Sequence, residues 1–342
     1  MAQLEQETDR LAARFLAFLS EQFDRSEIAY ELPLTRLLGG FETSVYQFKL
    51  RGAPGELDRS LVLRLYPARY RSDQAVWESR VQDVLAGQGH PVARVHLVCT
   101  DRSVLGGAFF VMDLLPGALL TTMPPESMFQ VLGQTHAALH RSDPEAVLAA
   151  LAAQGVDAGR FMPDDRADAL LSEFPWAREG IDWLSEHRPP EPARLAICHG
   201  DFHPLNVLVQ DDKVTGILDW AEFTIADPAW DIAHTILRIT LPYKVFVSGL
   251  LGPDFASVDW EQCAKAYLDV YRAHHPAGST NLRYYLARQS LYSLVEGVRG
   301  HVVWRHPPIA QELIERFYEI TGIRIVIPGE RSQVYDFEEA RP

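Results

Sequence analysis

The segment Ile197–Val209, "ICHGDFHPLNVLV", decides how this chain is interpreted, because it holds four polar side chains between two apolar runs. Such a segment fits a metal site, a catalytic loop or a polar loop between strands. His199 and His203 have the four-residue spacing of zinc ligands on a helix. Gly200 and Pro204 do not suit a helix interior, however, and the metalloprotease pattern needs Glu directly after the first His. The segment therefore argues against a histidine-based metal site on a helix and leaves the other two interpretations.

The spacing of three further polar residues favours a catalytic loop. Asp201 and Asn206 are five apart, and Asp219 ends the apolar stretch "VTGILD" thirteen residues later. Kinase-like phosphotransferases build their site in this way. A carboxylate such as Asp201 orients a hydroxyl and accepts its proton, whereas Asn206 and Asp219 offer the oxygen ligands that Mg²⁺ prefers. Each residue alone is more typical of a turn or a strand end, but three at this spacing indicate a catalytic site.

Composition narrows the class of partner. The chain has 342 residues and a formal net charge of −14, which argues against nucleic acid or an anionic membrane. The acidic excess lies after residue 115 and favours a cationic small-molecule acceptor. No apolar run reaches membrane-spanning length, "MAQLEQETDR" does not resemble a secretory signal, and three scattered cysteines suggest a reducing compartment. These features predict a cytoplasmic protein, and its oligomeric state stays open.

The periodicity of apolar residues divides the chain into two parts and predicts the α+β class. Residues 1–115 are rich in strands, with one helix before and one within the strand region. Residues 116–342 are mostly helical, with short strands around the opening segment. We therefore predict an N-terminal domain over 1–115 and a C-terminal domain over 116–342.

Two stretches, "HGDFHPLNVLV" and "GILDWAEFTIADPAWDIAH", resemble the aminoglycoside phosphotransferase and choline kinase superfamily. The resemblance implies a bilobal protein-kinase-like fold, with a β-rich N-lobe that binds nucleotide and a mostly helical C-lobe. It also implies ATP or GTP as phosphoryl donor, Mg²⁺ as cofactor and a small-molecule hydroxyl as acceptor. Asp201 matches the catalytic base, and Asn206 and Asp219 match the magnesium ligands. The residues that match loop-supporting positions are His199, Asp227 and Asp231.

The strand "LVLRLY" lies where kinases carry V-A-I-K, but its basic residue is Arg64 instead of Lys. One interpretation places Arg64 on an exposed face of the strand. The other places it inside, since its neighbours are apolar and an unpaired buried charge is costly. Glu78 in the next helix is then its natural partner. Arg binds phosphate in a forked geometry, so the replacement is compatible with phosphotransfer.

The resemblance assigns further nucleotide-binding positions. Gly40 lies where a phosphate-covering loop belongs, although a plain hairpin turn fits equally well, and the Ser44 hydroxyl is within reach of a phosphate there. "FFVMDLLPG" resembles the strand that enters the hinge of a kinase. Met112 would lie behind the base pocket or in ordinary core, and backbone groups from Asp113 to Leu115 would meet the purine edge.

The acceptor site is the least determined part. "DWAEF" resembles macrolide phosphotransferases, although those usually lack an asparagine at the position of Asn206. One candidate acceptor is an antibiotic, such as an aminoglycoside or macrolide. The alternative is a metabolite such as choline, homoserine or a sugar. A catalytically silent nucleotide-binding protein is the alternative of another class. The candidate acceptor residues are Glu222, Glu296, Arg299, His301 and Trp304.

Overall fold

The computed structural model describes residues 2–37, 43–161, 173–190, 195–252, 255 and 257–328. Gly40, predicted to lie in a phosphate-covering loop, falls outside these residues. The chain forms two compact units, which are discontinuous in sequence. Unit 1 comprises Met1–Met162, Leu195–Ala226 and Lys265–His275, and unit 2 comprises Pro163–Arg194, Asp227–Ala264 and Pro276–Pro342. The segment quoted above therefore belongs to the same unit as the N-terminal strands, and the domain boundary at residue 115 stays a prediction.

The described helices occur in both units. The α-helices are α1 (Ala2–Gln22), α2 (Ser72–Gly87), α3 (Arg102–Leu105), α4 (Pro125–Arg141), α5 (Pro144–Ala153), α6 (Arg178–Glu186), α7 (Pro228–Thr240), α8 (Ser248–Leu251), α9 (Trp260–His274), α10 (Leu282–Val298) and α11 (Pro307–Thr321). A π-helical turn covers Tyr243–Val247. Short 3₁₀ turns cover Gly55–Leu57, Leu120–Thr122, Ala158–Phe161, Pro175–Ala177, Pro204–Asn206 and Pro276–Ser279.

The described strands all lie in unit 1 and pair antiparallel. They are β1 (Ala29–Arg36), β2 (Ser44–Arg51), β3 (Ser60–Leu65), β4 (Val95–Cys99), β5 (Phe109–Asp113), β6 (Ala118–Leu119), β7 (Ala196–Cys198), β8 (Val207–Gln210), β9 (Lys213–Ile217) and β10 (Thr224–Ala226). The main sheet has the order β1-β2-β3-β5-β4, which confirms the predicted β-rich N-terminal region. A three-stranded sheet, β6-β8-β9, and the pair β7-β10 surround the opening segment.

Helix α1 covers one face of the main sheet through aromatic contacts. Phe15 is fully buried, and its ring meets Phe48 of β2 and Phe109 of β5 edge-on, at centroid distances of 5.3 and 5.8 Å. Edge-to-face geometry of this kind adds to the free energy of burying the rings. Helix α1 is therefore an integral part of the core of unit 1 and not an appendage.

Unit 2 is built from helices that share one apolar core. Helix α10 packs against both α7 and α11, and its buried residues include Leu291 and Leu294. Phe317 of α11 is fully buried in the same core. Across the described part of the chain, no helix has the length and apolarity needed to span a membrane.

We expect that Phe15→Ala lowers the free energy of unfolding by about 3–5 kcal/mol, because it removes a buried ring and leaves a cavity between α1 and the sheet. Chemical denaturation measures the change. Glu7→Ala, at an exposed position of the same helix, is the control and should have an effect within about 0.5 kcal/mol. Equal effects of the two variants would show that α1 does not belong to the cooperative core.

Candidate active site

The opening segment forms a tight loop between β7 and the 3₁₀ turn Pro204–Asn206. Gly200 has φ +82°, a conformation that side chains rarely adopt. A Cβ atom at this position would lie 2.5 Å from the backbone oxygen of Glu222. Glycine is therefore required twice, for its backbone angle and for the close approach of the turn that follows β9.

His199 links this loop to the end of β9. Its Nε2 donates to the carbonyl oxygen of Leu218 at 2.8 Å, and its Nδ1 accepts from the backbone N–H of Asp201 at 3.2 Å. These two bonds assign the proton to Nε2, since a carbonyl oxygen only accepts. The imidazole is fully buried, and the ring of Trp220 lies 4.7 Å from it. His199 thus fixes the backbone of Asp201 relative to the residue that precedes Asp219.

Asn206 lies beside Asp201 through its side-chain amide. Its Nδ2 donates to the backbone oxygen of Asp201 at 2.9 Å and lies 3.3 Å from the Asp201 carboxylate. Because these acceptors hold the nitrogen, the amide oxygen points away from Asp201. The backbone oxygen of Asn206 accepts from the N–H of Leu218 at 2.8 Å. The two predicted magnesium ligands, Asn206 and Asp219, are therefore brought next to each other by the backbone.

His203, the second histidine of the segment, lies at the junction of the two predicted catalytic side chains. Its Nε2 is 3.4 Å from Oδ1 of Asp201 and 3.3 Å from Nδ2 of Asn206. His203 lies in extended backbone just before a 3₁₀ turn, so His199 and His203 do not share a helix as a zinc site of that spacing would require.

Asp219 has an unusual backbone and a charged partner. Its φ of +62° lies in the left-handed region, where Asp and Asn are among the few tolerated non-glycine residues. Its side chain is 38% exposed, and Oδ1 lies 2.7 Å from Nη2 of Arg64. Strained backbone of this kind often occurs at functional sites.

Arg64 lies inside unit 1 and not on an exposed strand face. The same Nη2 is 3.5 Å from Oε1 of Glu78, so the guanidinium lies between two carboxylates. Burial disfavours its charge, but the charges of Asp219 and Glu78 outweigh this effect and raise the pKa of Arg64 well above its usual value. The buried Nε–H has no hydrogen-bond partner among the described residues. A buried, charged donor of this kind is suited to an anion such as phosphate.

Glu78 is fully buried in helix α2. Burial raises its pKa to about 7, although the nearby Arg64 charge and a hydrogen bond from the Tyr66 hydroxyl both oppose the rise. Nε2 of Gln82, one turn along the helix, donates to Oε1 at 3.4 Å. The carboxylate of Glu78 thus has polar contacts at both of its oxygens.

The remaining predicted nucleotide-binding residues lie in or next to the main sheet. Ser44 begins β2, and Met112 is half-buried in β5. The backbone N–H of Asp113 donates to the carbonyl of Arg94 at 3.0 Å. Leu115 packs close to Gly216 of β9.

The loop-supporting and acceptor candidates are divided between the units. Asp227 caps α7, where Oδ1 accepts from the N–H of Ala229 at 2.9 Å and Oδ2 accepts from Asn281 at 2.6 Å. Asp231 is fully buried in the first turn of that helix. Glu222 is exposed in the turn between β9 and β10 of unit 1.

The other acceptor candidates lie in the segment "EGVRGHVVW" of unit 2. Arg299 pairs with Glu296 at 3.1 Å, and the ring of His301 lies 6.0 Å from that of Trp304. Trp304 is buried, and the Arg238 guanidinium lies 5.7 Å from its ring. These contacts give Trp304 a packing role within unit 2.

Tyr66 is a site residue that the sequence analysis did not single out. It lies two residues after Arg64, so strand periodicity alone places both side chains on one face. That signal was available in "LVLRLY", but nothing in the sequence shows that the hydroxyl meets Glu78.

Comparison with known proteins identifies related sequences and folds. Residues 33–272 match the phosphotransferase enzyme family. Acyl-CoA dehydrogenase family member 10 of Mus musculus is 31% identical over 206 residues, which is 54% of this chain and 19% of that protein. The chain spans only 19–29% of the length of the first such curated relatives.

Two solved structures show the fold. One is a thermostable mutant of aminoglycoside phosphotransferase APH(4)-Ia in a ternary complex with AMP-PNP and hygromycin B, with a TM-score of 0.56 and 20% identity over 90% of this chain and 97% of that one. The other is macrolide 2'-phosphotransferase MphH from Brachybacterium faecium, with a TM-score of 0.50 and 19% identity over 87% and 97%. The predicted kinase-like α+β fold is therefore confirmed.

We expect that Glu78 makes the stability of the ligand-free protein depend on pH. Its pKa of about 7 in the folded protein exceeds the ordinary 4.5, so the folded state holds more protons than the unfolded state between these values. The stability that this group contributes is therefore complete below pH 4.5 and is lost as pH rises through 7. The loss is on the order of 3 kcal/mol, and Glu78→Gln should remove it.

Chemical denaturation at a series of pH values measures this dependence. Glu21→Gln, at an exposed position of α1, is the matched control and should keep the wild-type profile. Parallel profiles for wild type and Glu78→Gln would contradict the assignment.

Proposed function

Because the chain belongs to the phosphotransferase enzyme family, we propose that it transfers the γ-phosphoryl group of ATP or GTP to the hydroxyl of a small molecule. The observation that carries the proposal is the cluster of Asp201, Asn206 and Asp219, which the hydrogen bonds of His199 and Leu218 hold together. A carboxylate beside an amide and a second carboxylate is what phosphoryl transfer to an alcohol requires.

Asp201 acts as the general base in this proposal. Its carboxylate orients the acceptor hydroxyl and takes its proton as the oxygen attacks phosphorus. The backbone of Asp201 is held by His199, and its side chain is flanked by His203 and Asn206. The contribution of the protein is therefore mainly positioning and electrostatic stabilisation.

The residues present fit a magnesium ion. The Asn206 amide oxygen points away from Asp201, and the Asp219 carboxylate is partly exposed, so both oxygens offer hard ligands. Mg²⁺, held by these two residues, would neutralise charge on the transferring phosphate. Arg64 now pairs with Asp219 and would turn its buried Nε–H toward a phosphate oxygen.

Purine recognition is assigned to the segment from Met112 to Leu115. The N–H groups of Asp113 and Leu114 already donate to backbone oxygens at 3.0 and 3.1 Å. The carbonyl groups of this segment and the N–H of Leu115 would therefore meet the base. Whether the protein uses ATP or GTP depends on whether these carbonyl and N–H groups pair with the hydrogen-bonding edge of adenine or of guanine.

The acceptor class is open between antibiotics and metabolites. The APH(4)-Ia complex contains hygromycin B, and the acidic excess of this chain favours a cationic acceptor of that type. Curated relatives with 25–31% identity are named for acyl-CoA dehydrogenases, so we add hydroxyl-bearing acyl thioesters to choline, homoserine and sugars as candidate metabolites.

Asp201→Ala should lower nucleotide turnover about 10²–10⁴-fold, the usual contribution of a general base. The thermal shift caused by Mg·AMP-PNP should persist, because Asp201 is not assigned to the nucleotide. Asp269→Ala, at an exposed carboxylate of unit 1, is the control and should leave turnover unchanged. Wild-type turnover in Asp201→Ala would refute the assigned base.

A panel of acceptors should identify one class that stimulates nucleotide turnover with equal release of phosphorylated product. The panel contains hygromycin B and other aminoglycosides, macrolides, choline, homoserine, sugars and hydroxyacyl thioesters. Stimulation by an antibiotic alone would support a resistance enzyme, and stimulation by a metabolite alone would support a metabolic kinase. Binding of Mg·AMP-PNP without turnover on any member would favour the silent nucleotide-binding protein.

A further inference from the structure

A buried polar cluster connects the main sheet of unit 1 to helix α2. The side chains of Arg64, in β3, and Tyr66, just after β3, both contact Glu78 of that helix. The residues are 7%, 1% and 0% exposed, so the contacts within the cluster are shielded from water. Charges in such surroundings interact more strongly than at a surface, and each polar group needs a partner.

The Tyr66 hydroxyl has one assigned acceptor, Oε2 of Glu78. The other oxygen, Oε1, lies 3.5 Å from Nη2 of Arg64 and 3.4 Å from Nε2 of Gln82. A hydroxyl donor to one oxygen favours the ionised carboxylate and fixes its rotation. The hydroxyl therefore determines where the second oxygen of Glu78 meets Arg64.

The Arg64 guanidinium connects Glu78 to the predicted magnesium ligand Asp219. Its Nη2 also contacts Oδ1 of Asp219 at 2.7 Å, so one nitrogen joins the helix carboxylate to a predicted magnesium ligand. The ring of Tyr66 adds a second contact, since the guanidinium carbon lies 5.7 Å from its centroid. Tyr66 thus touches both members of the ion pair that leads to Asp219.

The ring and the hydroxyl of Tyr66 have separable roles. The ring packs near Phe110 and Tyr70, with centroids 6.1 Å away in both cases, and this packing belongs to the apolar core. The hydroxyl contacts Glu78, and a phenylalanine keeps the first role while losing the second. The two roles can therefore be tested apart.

We propose that Tyr66 is a positioning residue for phosphotransfer, whose hydroxyl orients Glu78 and through it aims the Arg64 guanidinium at Asp219 and the nucleotide phosphates. The inference rests on the proposed function. It adds Tyr66 to the ion pair of Arg64 and Glu78. It assigns the effect to the hydroxyl oxygen of Tyr66.

Tyr66→Phe should weaken binding of Mg·AMP-PNP about five- to ten-fold, within the range for loss of one hydrogen bond to a charged group. Calorimetry measures the Kd, and nucleotide turnover gives kcat and KM separately. Tyr30→Phe is the matched control, because Tyr30 also donates its hydroxyl within unit 1, to the Ala12 carbonyl at 2.9 Å. The control should keep the wild-type Kd.

A double-mutant cycle with Glu78→Gln separates positioning from packing. If the hydroxyl acts through the Glu78 charge, adding Tyr66→Phe to Glu78→Gln should cause no further weakening. An unchanged Kd in Tyr66→Phe would overturn the inference, and so would an equal loss in both backgrounds. Because the Kd is measured without turnover, wild-type protein that binds Mg·AMP-PNP but transfers no phosphate would contradict the proposed function alone.

Discussion

The buried guanidinium of Arg64 is the interaction on which the candidate site depends. A charge in the middle of an apolar sheet is tolerated only when opposite charges surround it, and Glu78 and Asp219 supply them. One carboxylate comes from helix α2 and the other follows β9, so the requirement to pair one cation connects segments 155 residues apart in sequence. Removing both acids would leave an uncompensated charge in the core of unit 1.

The second constraint is that the backbone, more than the side chains, brings the proposed catalytic residues together. The residue before Asp219 accepts from His199 and donates to Asn206, so a single peptide segment fixes both sides of the site. Gly200 permits this approach because a side chain there would meet the turn after β9. The proposed catalytic side chains thus depend on residues such as Gly200, which contribute only to the backbone conformation.

Much of this arrangement could be predicted from the sequence, because spacing within a short segment limits geometry strongly. The placement of Asp201, Asn206 and Asp219 in one cluster follows from such spacing, and the contact of Arg64 with Glu78 was expected because a buried charge needs a partner. The closer contact of Arg64 with Asp219 and the hydroxyl of Tyr66 were not expected, since both depend on which side chains meet across separate elements. The composition of unit 1 does not follow from local patterns either, because its segments are distant in sequence and no local pattern indicates that they share a core.

The left-handed backbone at Asp219 limits which residues the position can hold. Most side chains are strained at a φ of +62°, whereas asparagine and glycine are tolerated there. A change to asparagine or glycine at this position would therefore keep the backbone conformation while removing the carboxylate of the proposed magnesium ligand. The backbone angle thus separates two requirements at one residue, a left-handed conformation that three residue types meet and a carboxylate that only aspartate supplies among them.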